Sequence, residues 1–187
     1  MDKAVFLDRD GVINEVKNDG VQYVNSAADV YLLPDAAKAI KILNDLQYKV
    51  FIVTNQGWIG LGLMKERALT KIHLKLLDLL LQEAEAVIDD IAICPHNPQA
   101  GCICRKPKPA MLLELAAKHN IDLENSFTIG DWVTDIVAGK AAKTRTILII
   151  DEQEVIPVIE VDHIAFSLQD AVSWIEEETK KPSPVEA

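Results

Sequence analysis

Two carboxylates one residue apart, Asp8 and Asp10, follow the apolar run Ala4-Val5-Phe6-Leu7 and precede Gly11. A short apolar run that stops at a turn signal reads as a buried strand. In an open α/β sheet, ligands bind outside the carboxyl ends of the strands, so Asp8 and Asp10 are expected at the rim of a cleft. Carboxylates this close repel each other, and a bound cation is the usual remedy. An aspartate-rich turn that merely closes a strand carries the same pattern, and the rest of the chain has to decide between the two.

Two further strands end in polar groups. Tyr48 to Val53 reads as a strand leading into Thr54-Asn55-Gln56-Gly57, and Asn125 to Ile129 as one leading into Gly130-Asp131. Asp135 follows one helical turn later, on the same side as Asp131. Helix capping alone would account for Asp131, but three polar strand tips favour a shared site. Arg105-Lys106-Pro107-Lys108-Pro109 adds cations that can neutralise phosphate oxygens. Several carboxylates in one cleft call for a hard divalent cation, and Mg²⁺ fits when a phosphate completes its shell. An aspartate can attack phosphorus to form an aspartyl-phosphate. That attack on a phosphate dianion is opposed electrostatically, so Mg²⁺ and Lys106 must offset the charge. Thr54 and Asn55 can hold the equatorial oxygens. Asp10 can protonate the leaving alcohol and then take a proton from the hydrolytic water.

A second constellation lies in Cys94-Pro95-His96-Asn97-Pro98-Gln99-Ala100-Gly101-Cys102-Ile103-Cys104, which holds all three cysteines of the chain. Cys3His is a closed structural zinc set, although Cys94-x-His96 and Cys102-x-Cys104 depart from common finger spacing. Reduced, partly buried thiols are the alternative, and a redox Cys-x-x-Cys fails on spacing. The clustering beside a histidine favours zinc. A saturated four-ligand zinc has no open position, so it would staple the loop and not catalyse.

Strands and helices that alternate along the chain must position these groups, which predicts a doubly wound, Rossmann-like parallel sheet with helices on both faces. Pro34 and Asp35 open a helix whose apolar stripe is Ala36, Ala39, Ile40, Leu43 and Leu46. A long helix spans about Lys65 to Ala86, with His73 read as structural because no partner is evident. Val87 to Ile93 is expected as the third strand, Ala110 to His119 as a helix, and Thr144 to Ile150 as the fifth strand. Asp162 to Phe166 reads as a short sixth strand and Leu168 to Glu178 as the last helix. The mixed, polar stretch Ile13 to Leu33 is expected as a loop near the cleft. Residues 1–178 are expected to form one domain, with 179–187 a disordered, Pro- and charge-rich tail.

The 187-residue chain carries a net charge of -10, which excludes a general nucleic-acid binder needing a basic face. It has no apolar run of membrane-spanning length and no secretory leader pattern. A cytoplasmic monomer acting on a small phosphorylated metabolite, without nucleic acid or membrane partners, is the expectation.

Asp8-Arg9-Asp10-Gly11-Val12, Thr54-Asn55-Gln56, Lys106-Pro107 and Gly130-Asp131-x3-Asp135 resemble, in order, the four motifs of haloacid-dehalogenase-like phosphohydrolases. The Cys94-to-Pro107 segment resembles the zinc loop of one subgroup, which includes heptose-1,7-bisphosphate 7-phosphatases and histidinol-phosphate phosphatases. The resemblance covers nearly the whole chain up to the C-terminal helix. It implies a capless phosphatase with Asp8 as nucleophile and Asp10 as general acid/base. Thr54 and Lys106 would stabilise the phosphoryl group, and Asn55, Gln56 and Arg105 would contact substrate. Mg²⁺ would sit on Asp8, the Asp10 carbonyl and Asp131, supported by Asp135, and Zn²⁺ on Cys94, His96, Cys102 and Cys104.

The chain departs from this subgroup at Trp132, where Lys or Arg usually follows Gly-Asp. It departs again at Gly57-Trp58-Ile59-Gly60-Leu61, where the usual pattern is Ser-Gly-Ile-x-Arg. These changes point to a less anionic substrate or one with a face for stacking. Rival readings are a phosphatase of histidinol phosphate or another small monophosphate, a receiver-like phospho-acceptor, and a noncatalytic zinc-stapled binding domain. The Asp8/Asp10 pair argues against a receiver, which has no need of the second acid.

Overall fold

The computed structural model describes residues 1–16, 23–151 and 159–180. Its centre is one six-stranded sheet in the order β3-β2-β1-β4-β5-β6, formed by β1 (Ala4–Leu7), β2 (Lys49–Asn55), β3 (Asp90–Cys94), β4 (Phe127–Gly130), β5 (Arg145–Ile149) and β6 (His163–Ala165). Every pairing is parallel. The chain winds outward from β1 in both directions, and the order reverses between β1 and β4. Strand carboxyl ends on either side of such a switch point frame a crevice.

Side-chain alternation assigns the two faces. Val5 and Leu7 pack with α1 (Ala36–Asp45), α2 (Glu66–Ala84) and α5 (Leu168–Lys180) through Ile40, Leu43, Ile72, Leu76, Val172 and Ile175. Ala4 and Phe6 face the opposite way, onto α3 (Ala110–His119) and α4 (Val133–Ala142) through Met111, Leu112, Leu115 and Ala138. Each fully buried Val, Leu, Ile, Phe or Met side chain among them contributes about 1.5–3 kcal/mol. The sheet is thus covered on both sides, as parallel sheets require.

Several expected bounds move. The third strand starts at Asp90 and runs through Cys94, because Asp89 turns back to accept from the Val50 N–H. Asp35 is the cap of α1 with a left-handed φ of 59°, so the helix proper begins at Ala36. Within the expected loop, Ile13 is a core residue, Ser26 caps a short 3₁₀ turn at Ala27–Asp29, and Asn14 bridges to Leu32. Residues 17–22 of that loop lie outside the described residues. The last helix reaches Lys180, so Thr179 and Lys180 belong to it and not to a tail. Residues 181–187 lie outside the described residues. Among those described, no helix is long and apolar enough to cross a membrane.

Candidate active site

The ends of β1, β2 and β4 and the segment before α3 converge on a cleft of about 710 Å³. Its lining includes Asp8, Asp10, Thr54, Asn55, Gln56, Arg105, Lys106 and Asp131, gathered from residues far apart in the chain. The floor is tied down by the Asp8 N–H, which donates to the Ile129 carbonyl at 3.0 Å.

Lys106 is the hub. Its Nζ lies 3.0 Å from Asp8 Oδ1 and 2.6 Å from Asp135 Oδ1, and donates to the Val53 carbonyl at 2.6 Å. Burial opposes its charge, but the Asp8 and Asp135 carboxylates outweigh that and push the ammonium up to about 12. Its backbone is clamped twice by Asn55, whose Oδ1 accepts from the Lys106 N–H at 3.1 Å while Nδ2 donates to the Lys106 carbonyl at 3.2 Å.

Carboxyl oxygens of Asp8, Asp131 and Asp135 lie within 4.8 Å of one another. Burial first, then the Asp135 and Asp10 charges, raise Asp8 to about 7 against the pull of Lys106. Asp131 rises to about 8, from burial and from the Asp8 and Asp135 charges. Asp131 Oδ1 is buried without a hydrogen-bond partner among the described residues. An orphaned, crowded carboxylate oxygen is what a hard cation would satisfy, and the all-oxygen donor set suits Mg²⁺. Gly11 is required beside it: φ is +81°, and a Cβ there would stand 2.2 Å from Asp131 Oδ2.

Asp131 does not cap α4. Asp135 does so instead, its Oδ2 accepting from the Trp132 N–H at 3.1 Å while its other oxygen faces Lys106. The approach of Asp135 to β4 needs Gly130, where a Cβ would meet Asp135 Cβ at 2.2 Å.

Asp10 sits apart from the carboxylate cluster. The Arg9 fork donates to it, Nε to Oδ1 at 3.0 Å and Nη2 to Oδ2 at 2.7 Å. Asn14 Nδ2 and Gln56 Nε2 add bonds at 3.0 and 3.1 Å. Burial works to raise Asp10, but the Arg9 charge and these bonds hold it below the usual carboxylate range. Its carboxylate oxygens are thus engaged with protein donors. Gln56 Nε2 also donates to Thr54 Oγ1 at 2.8 Å, so both of its amide hydrogens serve neighbours in the site. Thr54 accepts that bond and keeps its own O–H to donate toward the cleft.

His73, read from the sequence as lacking a partner, has one. Its Nε2 lies 3.2 Å from Arg9 Nη1. Burial, then the Arg9 charge, lowers the imidazole to about 4. Only the long-range placement of Arg9 could have disclosed this pair.

Beside the cleft, Cys94, His96, Cys102 and Cys104 bring four ligand atoms within 4.8 Å of one another. Cys94 Sγ lies 3.6 Å from Cys102 Sγ and 3.2 Å from Cys104 Sγ, and His96 Nδ1 lies 3.2 Å from Cys104 Sγ. A tetrahedron with Zn–S bonds of ~2.3 Å has edges of about 3.8 Å, so this slightly tighter set is arranged to close on zinc. The loop docks on the turn after β2, with Gln56 N–H donating to the Cys94 carbonyl and Gly60 N–H to the Pro95 carbonyl, each at 2.8 Å. Pro98, Gly101, Cys102 and Arg105 from this loop wall the cleft on one side. Tyr23 and Trp58 line it as well, their rings 4.9 Å apart and tilted by 59°. Exposed Trp132 also lines the mouth.

Comparison with known proteins places this geometry. The HAD-hydrolase-like family model matches residues 103–171. The chain is 41% identical over 146 residues to the D-glycero-beta-D-manno-heptose-1,7-bisphosphate 7-phosphatase of Rhodopseudomonas palustris, covering 74% of this chain and 78% of that protein. It is 37% identical over 148 residues to the Helicobacter pylori protein of the same name, covering 79% and 83%. The crystal structure of D,D-heptose 1,7-bisphosphate phosphatase from B. bronchiseptica, complexed with magnesium and phosphate, superposes with a TM-score of 0.83 at 31% identity, over 94% of this chain and 99% of that one. With relatives this similar over most of its length and the four motifs assembled at one sheet edge, the chain belongs to the haloacid-dehalogenase-like hydrolase family.

Proposed function

We propose that this chain is a phosphomonoesterase that works through an aspartyl-phosphate on Asp8 and removes the C7 phosphate of D-glycero-D-manno-heptose 1,7-bisphosphate. The observation that carries the reaction class is the Asp8–Lys106 pair at 3.0 Å beside the orphaned Asp131 oxygen, with Asp10 held separately by Arg9. Relatives named for the heptose bisphosphate supply the substrate class.

Asp8 Oδ attacks phosphorus and the bond from phosphorus to the ester oxygen breaks. Asp10 enters this step protonated, against the hold of Arg9, and gives that proton to the departing alkoxide. The Asp10 carboxylate then takes a proton from water, whose oxygen attacks the same phosphorus, and the Asp8 oxygen leaves with free phosphate. Lys106 and the Thr54 hydroxyl hold the phosphoryl oxygens. Asn55 fixes the Lys106 backbone, Gln56 links Thr54 to Asp10, and Arg105 meets the rest of the substrate. Asp8, the Asp10 carbonyl and Asp131 would hold Mg²⁺, with Asp135 in support. When bound, the ion neutralises carboxylate and phosphoryl charge so that one anion can approach another. Cys94, His96, Cys102 and Cys104 would hold Zn²⁺, which would staple the segment leading to Lys106. The chain acts as one capless domain whose last helix ends at Lys180, as a cytoplasmic monomer.

A second reading, hydrolysis of histidinol phosphate or another small monophosphate, is favoured by the cleft mouth. Tyr23 and Trp58 supply apolar surface there, and Lys108 Nζ is turned to the Gly101 and Cys102 carbonyls, leaving Arg105 as the main cation for a second phosphate among the described residues. Phosphate release from both anomers of the heptose bisphosphate, histidinol phosphate, other sugar phosphates and nucleotides, with Mg²⁺ and with chelator, decides between them. Preference for the bisphosphate is expected. A monophosphate hydrolysed better selects the second reading, and no Mg²⁺-dependent release from any ester defeats both.

A further inference from the structure

Arg9 stands between the two carboxylates in sequence, yet its side chain turns into the core and is only 1% exposed. Its five N–H donors lie on three nitrogens in one rigid plane. Two of those nitrogens form the fork to Asp10, and the third, Nη1, lies 3.2 Å from His73 Nε2. His73 is carried on the buried face of α2 with Leu69, Ile72, Leu76 and Leu80. A guanidinium offers no acceptor, so His73 Nε2 must present its lone pair, which makes the imidazole neutral with the proton on Nδ1. Asn14 and Gln56 each give Asp10 a single bond, one to each oxygen and from separate elements, whereas the fork grips both oxygens from one rigid plane. The fork sets that plane, and His73 fixes the plane of the fork.

The geometry points to His73 as a positioning residue: through Arg9, it sets the orientation of the Asp10 carboxyl that exchanges a proton with the leaving group. The inference rests on the phosphatase reading above and extends it to a residue on α2 that touches no substrate. A leucine at this position would complete the apolar face of the helix and leave one Arg9 nitrogen unpaired in the core. Histidine supplies the acceptor on a ring that the packed helix holds in one place.

The test separates orientation of the acid from plain stability. An alkyl alcohol needs a proton to depart, whereas p-nitrophenolate leaves readily without one. Wild type, His73→Leu and His73→Gln are compared on the heptose bisphosphate, an alkyl ester at C7, and on p-nitrophenyl phosphate, with thermal melting recorded for each. His73→Leu is expected to lower kcat on the alkyl ester by about 10- to 100-fold, the scale of a misplaced acid, with KM held within about twofold. Its kcat on the aryl ester is expected to change by less than about threefold, since that ester draws little on the acid. His73→Gln, whose Oε1 can accept the same bond, is expected to restore most of the alkyl rate. Equal losses on both esters, an unchanged alkyl rate in His73→Leu, or no rescue by His73→Gln at equal stability would each overturn the inference. A wild-type chain inactive on both esters overturns the phosphatase reading itself, and the inference falls with it.

Discussion

In the Cys94-to-Cys104 loop, four soft ligands come from one short stretch of chain and close on one another at 3.2–3.7 Å. The carboxylate cluster a few residues away draws Asp8 from the end of β1 and Asp131 and Asp135 from the far side of the switch point, and keeps one oxygen unpartnered. The first set is complete in itself and has no room for substrate. The second is incomplete, electrostatically crowded and open to the cleft. Closure stabilises a loop, and incompleteness leaves a place for an ion and a phosphate. Removing a ligand should therefore have opposite consequences in the two places.

The sharpest break of that contrast is Asp8→Asn. Turnover is expected to fall on the order of 10⁴-fold or more, the scale of losing a nucleophile. The melting temperature without Mg²⁺ is expected to stay level or rise, because one of three crowded charges is gone. A marked fall in melting temperature would show that the 3.0 Å pair with Lys106 outweighs the repulsion.

Cys102→Ala should do the reverse. Zinc content by mass spectrometry is expected to drop from one per chain to none, and amide exchange across the loop to rise. Activity is expected to fall by about 10²-fold through displacement of Lys106. Zinc-free wild type with full activity would remove the staple from the account.

Gly130→Ala probes how tightly the open cluster is held. A methyl forced against Asp135 at 2.2 Å is expected to cost about 1–3 kcal/mol in denaturant unfolding. Unchanged stability would mean that Asp135 has room to move away from Lys106.

The smallest effect concerns pH. Asp8 and Asp131 bind their protons more tightly in the fold than their ordinary value of 3.8, at about 7 and about 8. Their contribution to stability is fully present below 3.8 and is lost as pH rises through about 7 and 8. Asp10 has the opposite shift, so its contribution is present above the ordinary value and is lost as pH falls below it. In chelator, melting temperature is expected to decline from about pH 5 to pH 8, and Mg²⁺ to flatten that decline. A melting temperature that rises over this range in chelator would contradict the crowding of the carboxylates.

Most of the sheet was legible because apolar runs between turn signals report buried strands directly, and α3 kept its expected bounds, Ala110 to His119. The bounds of α4 are not legible in a sequence that carries small and polar residues in place of a broad apolar stripe, and the cap that was the alternative to a shared site for Asp131 is made by Asp135. Capping depends on which carboxylate the strand–helix turn swings inward, and Gly130 decides that by sterics. Asn55 and Gln56 were legible as polar strand-end groups. Their bonds to Lys106 and Asp10 follow from loops that meet only in the fold.

The sequence by itself determined the order of the chemical groups, the parallel α/β architecture and the Cys94, His96, Cys102 and Cys104 set, because strand ends and short-range ligands are local properties of a chain. Only the tertiary structure decided that Lys106 stands between Asp8 and Asp135, and that Arg9 reaches 64 residues along the chain to His73. Those contacts depend on sheet order and on which side chain the core can bury with its charge paired, and no spacing within one segment encodes either.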